Sequence, residues 1–361
     1  MKTILFVIGA ALACRVSKAR LEGQPTHINV VTPSGGVGSA SRCPPVFIGN
    51  VMPFAARHNH RMIHQAARLL AVLTIMSSFL LAGCSATGVL NAVTPSSNYT
   101  LNTDVAYGTL PRQMLDIYAP TKAGPAAGWP VVVFFYGGSW NSGARTQYLF
   151  VGEALAARGV LTLVVDYRLY PEVRYPDFLS DSALALAYGL DQATRLGGDP
   201  KRVFVMGHSA GGYNAAMLAL DARWLKANGH APNELAGWIG LAGPYDFYPI
   251  INPDAKPVFF HPNYPANSQP IAFTSPNAPR SFLAAAVDDD LVNPQRNTQQ
   301  MAEKLRAAGV PVTLKLYPRA HHTTLIGAFA WPLRWIAPVL DDVTTFIAVT
   351  PQVREPTRST P

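Results

Sequence analysis

Between residues 131 and 317 the chain alternates between two patterns. Short uninterrupted apolar runs occur at VVVFF (131–135), LTLVV (161–165), VFVM (203–206), GWIGLA (237–242), SFLAAAV (281–287) and VTLKLY (312–317). Segments around 147–158, 178–195, 210–222 and 295–308 carry apolar residues at helical spacing, and a last amphipathic stretch lies near 331–348. Strands buried on both faces need no polar face. Continuous apolar strands separated by helices therefore predict an α/β domain with a mostly parallel sheet covered on both sides. Runs near 103–107 and 114–118 predict an antiparallel edge. Asn293-Pro294 has the form of an N-cap followed by a first-turn proline, and Gly309 stands where that helix should stop.

One segment breaks the rhythm. Residues 244–280 hold nine prolines and seven aromatic residues with neither period. A loop of that length inside a compact domain is usually functional, and a wall or flap over a pocket is expected.

Composition changes the picture mainly at the ends. The chain has 361 residues and a net charge of +8. Residues 1–84 contain eight of its 29 Lys and Arg but only one of its 21 acidic residues, Glu22. The body is thus almost neutral, which argues against a nucleic-acid partner. Cys14, Cys43 and Cys84 all precede residue 85, so the body can build neither a disulfide scaffold nor a thiolate metal site.

The run LLAVLTIMSSFLLAG (69–83) follows Arg57, Arg61 and Arg68 and ends at Cys84. It is short for a spanning helix and right for a signal-peptide core. The ending LAGC resembles the lipobox of bacterial lipoproteins. That likeness implies a lipidated Cys84 and attachment to a membrane of the bacterial cell envelope. Residues 52–84 are then the signal peptide, 1–51 a disordered or spurious extension, 85–98 a linker, 99–349 the folded domain and 350–361 a frayed tail.

Within the domain, the stretch VFVMGHSAGGYNAAMLAL (203–220) contains G-x-S-x-G between an apolar strand and a helix. A strand turning sharply into a helix strains its middle residue, and only small neighbours leave space. Gly207 and Gly211 supply that space and push the Ser209 hydroxyl out. The N–H of Ala210 then points at the same spot from a helix N-terminus.

A serine needs a base. One of the pair His321 and His322, just after the strand VTLKLY, is the best candidate. The base needs an acid, and Asp288, Asp289 and Asp290 follow the strand SFLAAAV. No histidine or second acidic cluster accompanies these carboxylates, which argues against a metal site. FFYGGSWNSG after VVVFF offers oxyanion donors: Gly137 and Gly138 admit a substrate close to the backbone, and the N–H groups of Gly138 and Ser139 join that of Ala210. Tyr136, Trp140, His208 and Tyr245, beside these motifs, are candidate pocket residues.

Together these residues resemble the α/β-hydrolase superfamily, specifically carboxylesterases with an HGG-type oxyanion motif. The likeness is nearest to the BD-FAE-like esterase and lipase group, which borders on kynurenine formamidases. It covers about residues 100–348, including YGGSW, DYRLYPE (166–172), GHSAGG, GLAGPYDF (240–247) and DDLVNPQRNT. It implies the α/β-hydrolase fold and selects Asp289, through its spacing to Val292 and Pro294, and His322, through the YP-x-x-G pattern in which His321 replaces glycine. Tyr136 departs from the histidine of HGG, a change that bears on loop shape and specificity. The expected activity is hydrolysis of small to medium acyl or aryl esters through an acyl-serine, with no cofactor. An amidase, formamidase or peptidase would use the same machinery, and a partner-binding surface lipoprotein is the reading from another class. The sequence sets no oligomeric state.

Overall fold

The structure, a computed structural model, describes residues 85–349. The expected extension, signal peptide, Cys84 and tail lie outside those residues.

Eight strands form one sheet: β1 (Tyr99–Ala106), β2 (Met114–Pro120), β3 (Trp129–Phe135), β4 (Leu161–Val165), β5 (Gly198–His208), β6 (Gly237–Leu241), β7 (Ser281–Ala286) and β8 (Val312–Tyr317). Their order is β1-β2-β4-β3-β5-β6-β7-β8. β1 and β2 form the antiparallel edge, and every pairing from β4 to β8 is parallel. This is the α/β-hydrolase architecture. Parallel register lines up the carboxyl ends: Phe135 lies opposite both Val165 and Gly207, His208 opposite Leu241, and Ala286 opposite Tyr317.

The apolar runs fill the centre. Val131 to Phe135, Val203 to Met206 and Phe282 to Ala286 are all fully buried. Each buried valine or phenylalanine contributes about 1.5–3 kcal/mol relative to an exposed one. Helices cover the sheet in two groups. α2 (Leu149–Ala157) packs on β2 and β4 and meets the C-terminal α8 (Val339–Ala348); α3 (Asp177–Gln192) packs on β3 to β5 and meets α4 (Ala210–Leu220) and α5 (Ala222–Lys226). α6 (Gln300–Ala307) lies against β8, and α7 (His322–Gly327) follows that strand.

Two helix ends illustrate how sequence sets local structure. The Asn293 side chain accepts a hydrogen bond from the Arg296 N–H at 2.8 Å, opening a π turn (Gln295–Gln299) that runs into α6. Gly309 ends that helix with a φ of 79°, a left-handed conformation that glycine adopts without steric cost.

The expected linker 85–98 is different. It contains a further helix, α1 (Ala86–Ala92), capped by the Ser85 hydroxyl accepting from the Gly88 N–H at 3.1 Å. The Asn91 amide donates to the Thr146 carbonyl at 2.8 Å and the Trp331 indole donates to the Val93 carbonyl at 2.7 Å. These bonds hold α1 on the domain, so the segment is not a free tether.

Candidate active site

β5 ends at His208 and α4 begins at Ala210, leaving Ser209 alone at the turn with φ 54° and ψ −122°. Such a backbone costs about 1–3 kcal/mol and survives only where its surroundings impose it. The surroundings here are backbone. A β-carbon at Gly207 would overlap the Gly211 carbonyl, and one at Gly211 would overlap the Phe135 carbonyl. The Ser209 N–H donates to the Leu241 carbonyl at 2.9 Å, fastening the turn to the neighbouring strand.

Three strand ends bring their side chains together. His322 Nε2 lies 2.8 Å from Ser209 Oγ, while Nδ1 lies 3.0 and 2.8 Å from the two oxygens of Asp289. A carboxylate only accepts, so Nδ1 carries the proton and Nε2 is free to accept from the serine. Asp289 Oδ1 also accepts from the N–H groups of Leu291 and Val292 at 3.0 and 2.8 Å. Burial opposes ionisation of Asp289, but the His322 hydrogen bond and charge and these two N–H groups outweigh it and hold the carboxyl below its ordinary range. The His322 and Asp289 side chains are buried, whereas Asp288, Asp290 and His321 are exposed. Among the described residues, no group of His, Cys, Asp and Glu is arranged to hold a metal.

His208 does not reach the pocket. It is buried behind Ser209, and its Nε2–H donates to the His322 carbonyl at 2.9 Å. Burial, followed by the neighbouring His322, pushes its pKa down to about 3, so it stays neutral. Its contact braces the loop that carries His322.

The loop after β3 is held in an unusual shape. Gly138, Ser139 and Trp140 have φ of 127°, 50° and 58°. The Gly138 carbonyl accepts from the N–H groups of Asn141 and Ser142 at 3.0 and 3.1 Å, and the Trp140 indole donates to the Asn214 side chain at 2.9 Å. Gly137 supplies clearance: a β-carbon there would stand 2.8 Å from that of Ser209. Burial raises the pKa of the neighbouring Tyr148 to about 12, a rise that its contact with the Gly137 backbone lessens. Ser139 and Ala210 line the cleft beside Ser209. Ala210 is the first residue of α4, where an N–H has no acceptor within the helix.

Tyr136 is a second correction to the expected pocket. It is fully buried, stacked between Tyr148 and Tyr167 at centroid distances of 5.4 and 5.0 Å. Its hydroxyl donates to Asp166 at 2.7 Å and accepts from Arg112 at 2.7 Å. Asp166 also accepts from Arg145, which in turn pairs with Asp104 and Asp116. The tyrosine anchors the root of the loop and offers substrate nothing. Tyr245 is likewise fully buried, its ring edge-on to Trp238 at 5.8 Å. Large aromatic residues beside a motif can serve the core as readily as a pocket, and sequence alone does not separate the two.

The pocket itself is a cavity of about 160 Å³ bordered by Ser209, His322, Ser139, Ala210 and Trp140 on the sheet side. Pro244, Asp246, Phe247, Pro249, Ile250, Ile251, Asn252 and Ala255 form the facing wall, so the excursion 244–280 supplies it. Asn252 donates to the Ser139 hydroxyl at 3.0 Å, tying wall to loop. At the rim Arg296 pairs with Asp246 at 3.0 Å and also donates to the Tyr248 carbonyl. The sequence reading missed this pair and Phe247, because the partners lie far apart along the chain; DDLVNPQRNT marked the neighbourhood of Arg296 without indicating its partner.

The family described as BD-FAE matches residues 115–305. Isoprenylcysteine alpha-carbonyl methylesterase of Arabidopsis thaliana is 30% identical over 152 residues, 41% of this chain and 35% of that protein. Esterase LipC of Mycobacterium tuberculosis is 32% identical over 225 residues, 56% of this chain and 54% of the relative. The chain thus spans about a third to a half of the length of these curated relatives. Among solved structures, a bacterial heroin esterase superposes with a TM-score of 0.59 at 25% identity, covering 73% of this chain and 89% of that one.

Proposed function

The chain belongs to the BD-FAE family, and on that premise we propose that it is a serine esterase that hydrolyses carboxylic esters with short acyl groups. The observation that carries this reading is the continuous hydrogen-bonded line Ser209–His322–Asp289 opening onto a cavity beside the Ala210 N–H. Ser209 Oγ attacks the ester carbonyl while His322 Nε2 takes its proton. Asp289 keeps Nδ1 protonated and stabilises the imidazolium. The N–H groups of Ala210, Ser139 and Gly138 hold the oxyanion, each worth about 2.7–4 kcal/mol in the transition state. His322 returns the proton to the departing alcohol. Water, deprotonated by the same imidazole, then releases the acid and regenerates the serine. The esterase names of the similar proteins support this reading.

Pocket size supports the acyl class. A cleft of only about 160 Å³ suits a short acyl group with the alcohol at the mouth. Apolar contacts from Phe247 and Ile250 suit such a chain. The test is presteady-state hydrolysis of p-nitrophenyl acetate. A burst of one p-nitrophenolate per active site, with an acetyl group found on Ser209 by mass spectrometry, is expected; linear release without acylation overturns the assignment.

An acyl anchor on Cys84 places this activity at a bacterial envelope membrane. The LAGC ending after an apolar run supports that location. Among the described residues, no helix is long and apolar enough to cross a membrane.

A further inference from the structure

We propose that the face built from α1 and the Trp331–Trp335 turn lies directly on a lipid bilayer, so that the domain rests on the membrane. The proposal rests on the acylated Cys84 read above and adds an orientation to it. Cys84 is bonded to Ser85, the residue that caps α1. From Ser85 to Asn91 the helix rises only about 9 Å. At Asn91 and Val93 the chain is already fastened to the domain, through Thr146 and Trp331. An anchor with no slack brings this face to the headgroups.

The face has the chemistry for that position. No Asp, Glu, Lys or Arg occurs from Ser85 to Thr103. The helix turns Leu90 toward the core but leaves Val89 and Val93 36% and 44% exposed. Trp331, bonded to the Val93 carbonyl, is 46% exposed, and Trp335 one turn later is 69% exposed. Exposed apolar groups that stand side by side call for a partner, and Val93 and Trp331 are held together by their hydrogen bond. Tryptophan favours the membrane interface, where its ring is buried and its N–H can be satisfied. Arg319 donates to the Trp335 carbonyl at 3.0 Å, placing a cation beside the patch, as anionic headgroups prefer.

The test uses the full-length protein extracted from a bacterial membrane and reconstituted into phosphatidylglycerol and phosphatidylethanolamine vesicles. The lipids carry bromine high on their acyl chains, and intact mass reports the Cys84 acyl group. Acylated protein should lose tryptophan emission to the bromines. Trp335→Phe should remove part of that loss and Trp331→Phe/Trp335→Phe nearly all, with hydrolysis of soluble p-nitrophenyl acetate unchanged. Trp335 makes no side-chain hydrogen bond with the described residues, so the single variant keeps the test valid if the double variant folds poorly. Acylated, vesicle-bound protein whose emission ignores bromine overturns the proposal and leaves the anchor standing. A mass without acyl groups overturns the anchor and the proposal together. Dimeric protein in detergent with both tryptophans shielded assigns the face to a second copy instead.

Discussion

The carboxyl rim of the sheet and the wall formed by residues 244–280 border one cavity, yet they are built in opposite ways. On the rim, Ser209, Asp289 and His322 follow the ends of β5, β7 and β8; close-packed glycines fix the turn at Ser209, two N–H groups hold Asp289, and His208 braces His322. The wall has no strand. It is held by side-chain bonds such as Asn252 to Ser139 and Arg296 to Asp246, by the Tyr175 N–H donating to the Val258 carbonyl and by the buried Phe259 ring against Trp140, while its tip, Ile251, is 87% exposed. The catalytic geometry proposed above tolerates errors of only a fraction of an ångström and sits on strand ends, while the proposed substrate contacts sit on irregular chain, where sequence varies more readily.

That division can be broken in order of size. Ser209→Ala should lower kcat on p-nitrophenyl acetate by about 10⁶-fold, removing the nucleophile; a variant that keeps most of its rate would show that another residue attacks. Asp289→Asn should cost about 10⁴-fold in kcat, because an amide can fix the wrong imidazole tautomer. KM should change little, and a loss confined to KM would argue for a binding role. On the wall, Ile250→Ala should shift the kcat/KM ratio of hexanoyl to acetyl esters by about tenfold toward the longer chain while leaving acetyl turnover near its original value. If the ratio stays put, the wall does not read the acyl group.

The smallest effect concerns two adjacent histidines, whose ring centroids are 5.0 Å apart. His208 has a pKa lowered from 6.5 to about 3 in the folded protein. Between those values the unfolded chain binds a proton that the folded one does not, so stability falls as the pH drops through that window. His208→Gln should flatten the decline in Tm between pH 7 and about 4. The lowered Asp289 acts in another window: its stabilisation is present above the ordinary carboxylate pKa of 3.8 and is lost only as the pH falls through its lower folded value. An unchanged acid limb in the variant would remove His208 from this account.

The same contrast governs what could be read from sequence. The buried cores of β3, β5 and β7 are continuous apolar runs, and their neighbours along the chain determine their form. Ser209 was legible because a strand, two glycines and a helix are local features. Separating Asp289 from its neighbours and His322 from His321 required a family likeness, since local chemistry treats them alike. Tyr136 and Tyr245 misled because burial is a tertiary property: Tyr136 meets Asp166 and Arg112 only once β2, β3 and β4 are side by side. α1 did carry a local signal, Ser85 as a cap before an uncharged run, but seven residues form too little helix to stand out without the domain beneath it.

The glycines at 207 and 211 have a consequence for how this molecule can change. Neither position has room for a single carbon, because what stands opposite is main chain, which no repacking of neighbours can move aside. Any gain of new substrates, by natural drift or in the laboratory, is therefore left to the other linings of the cleft, such as Phe247, Ile250 and Val292, while the turn beneath Ser209 is inherited unaltered.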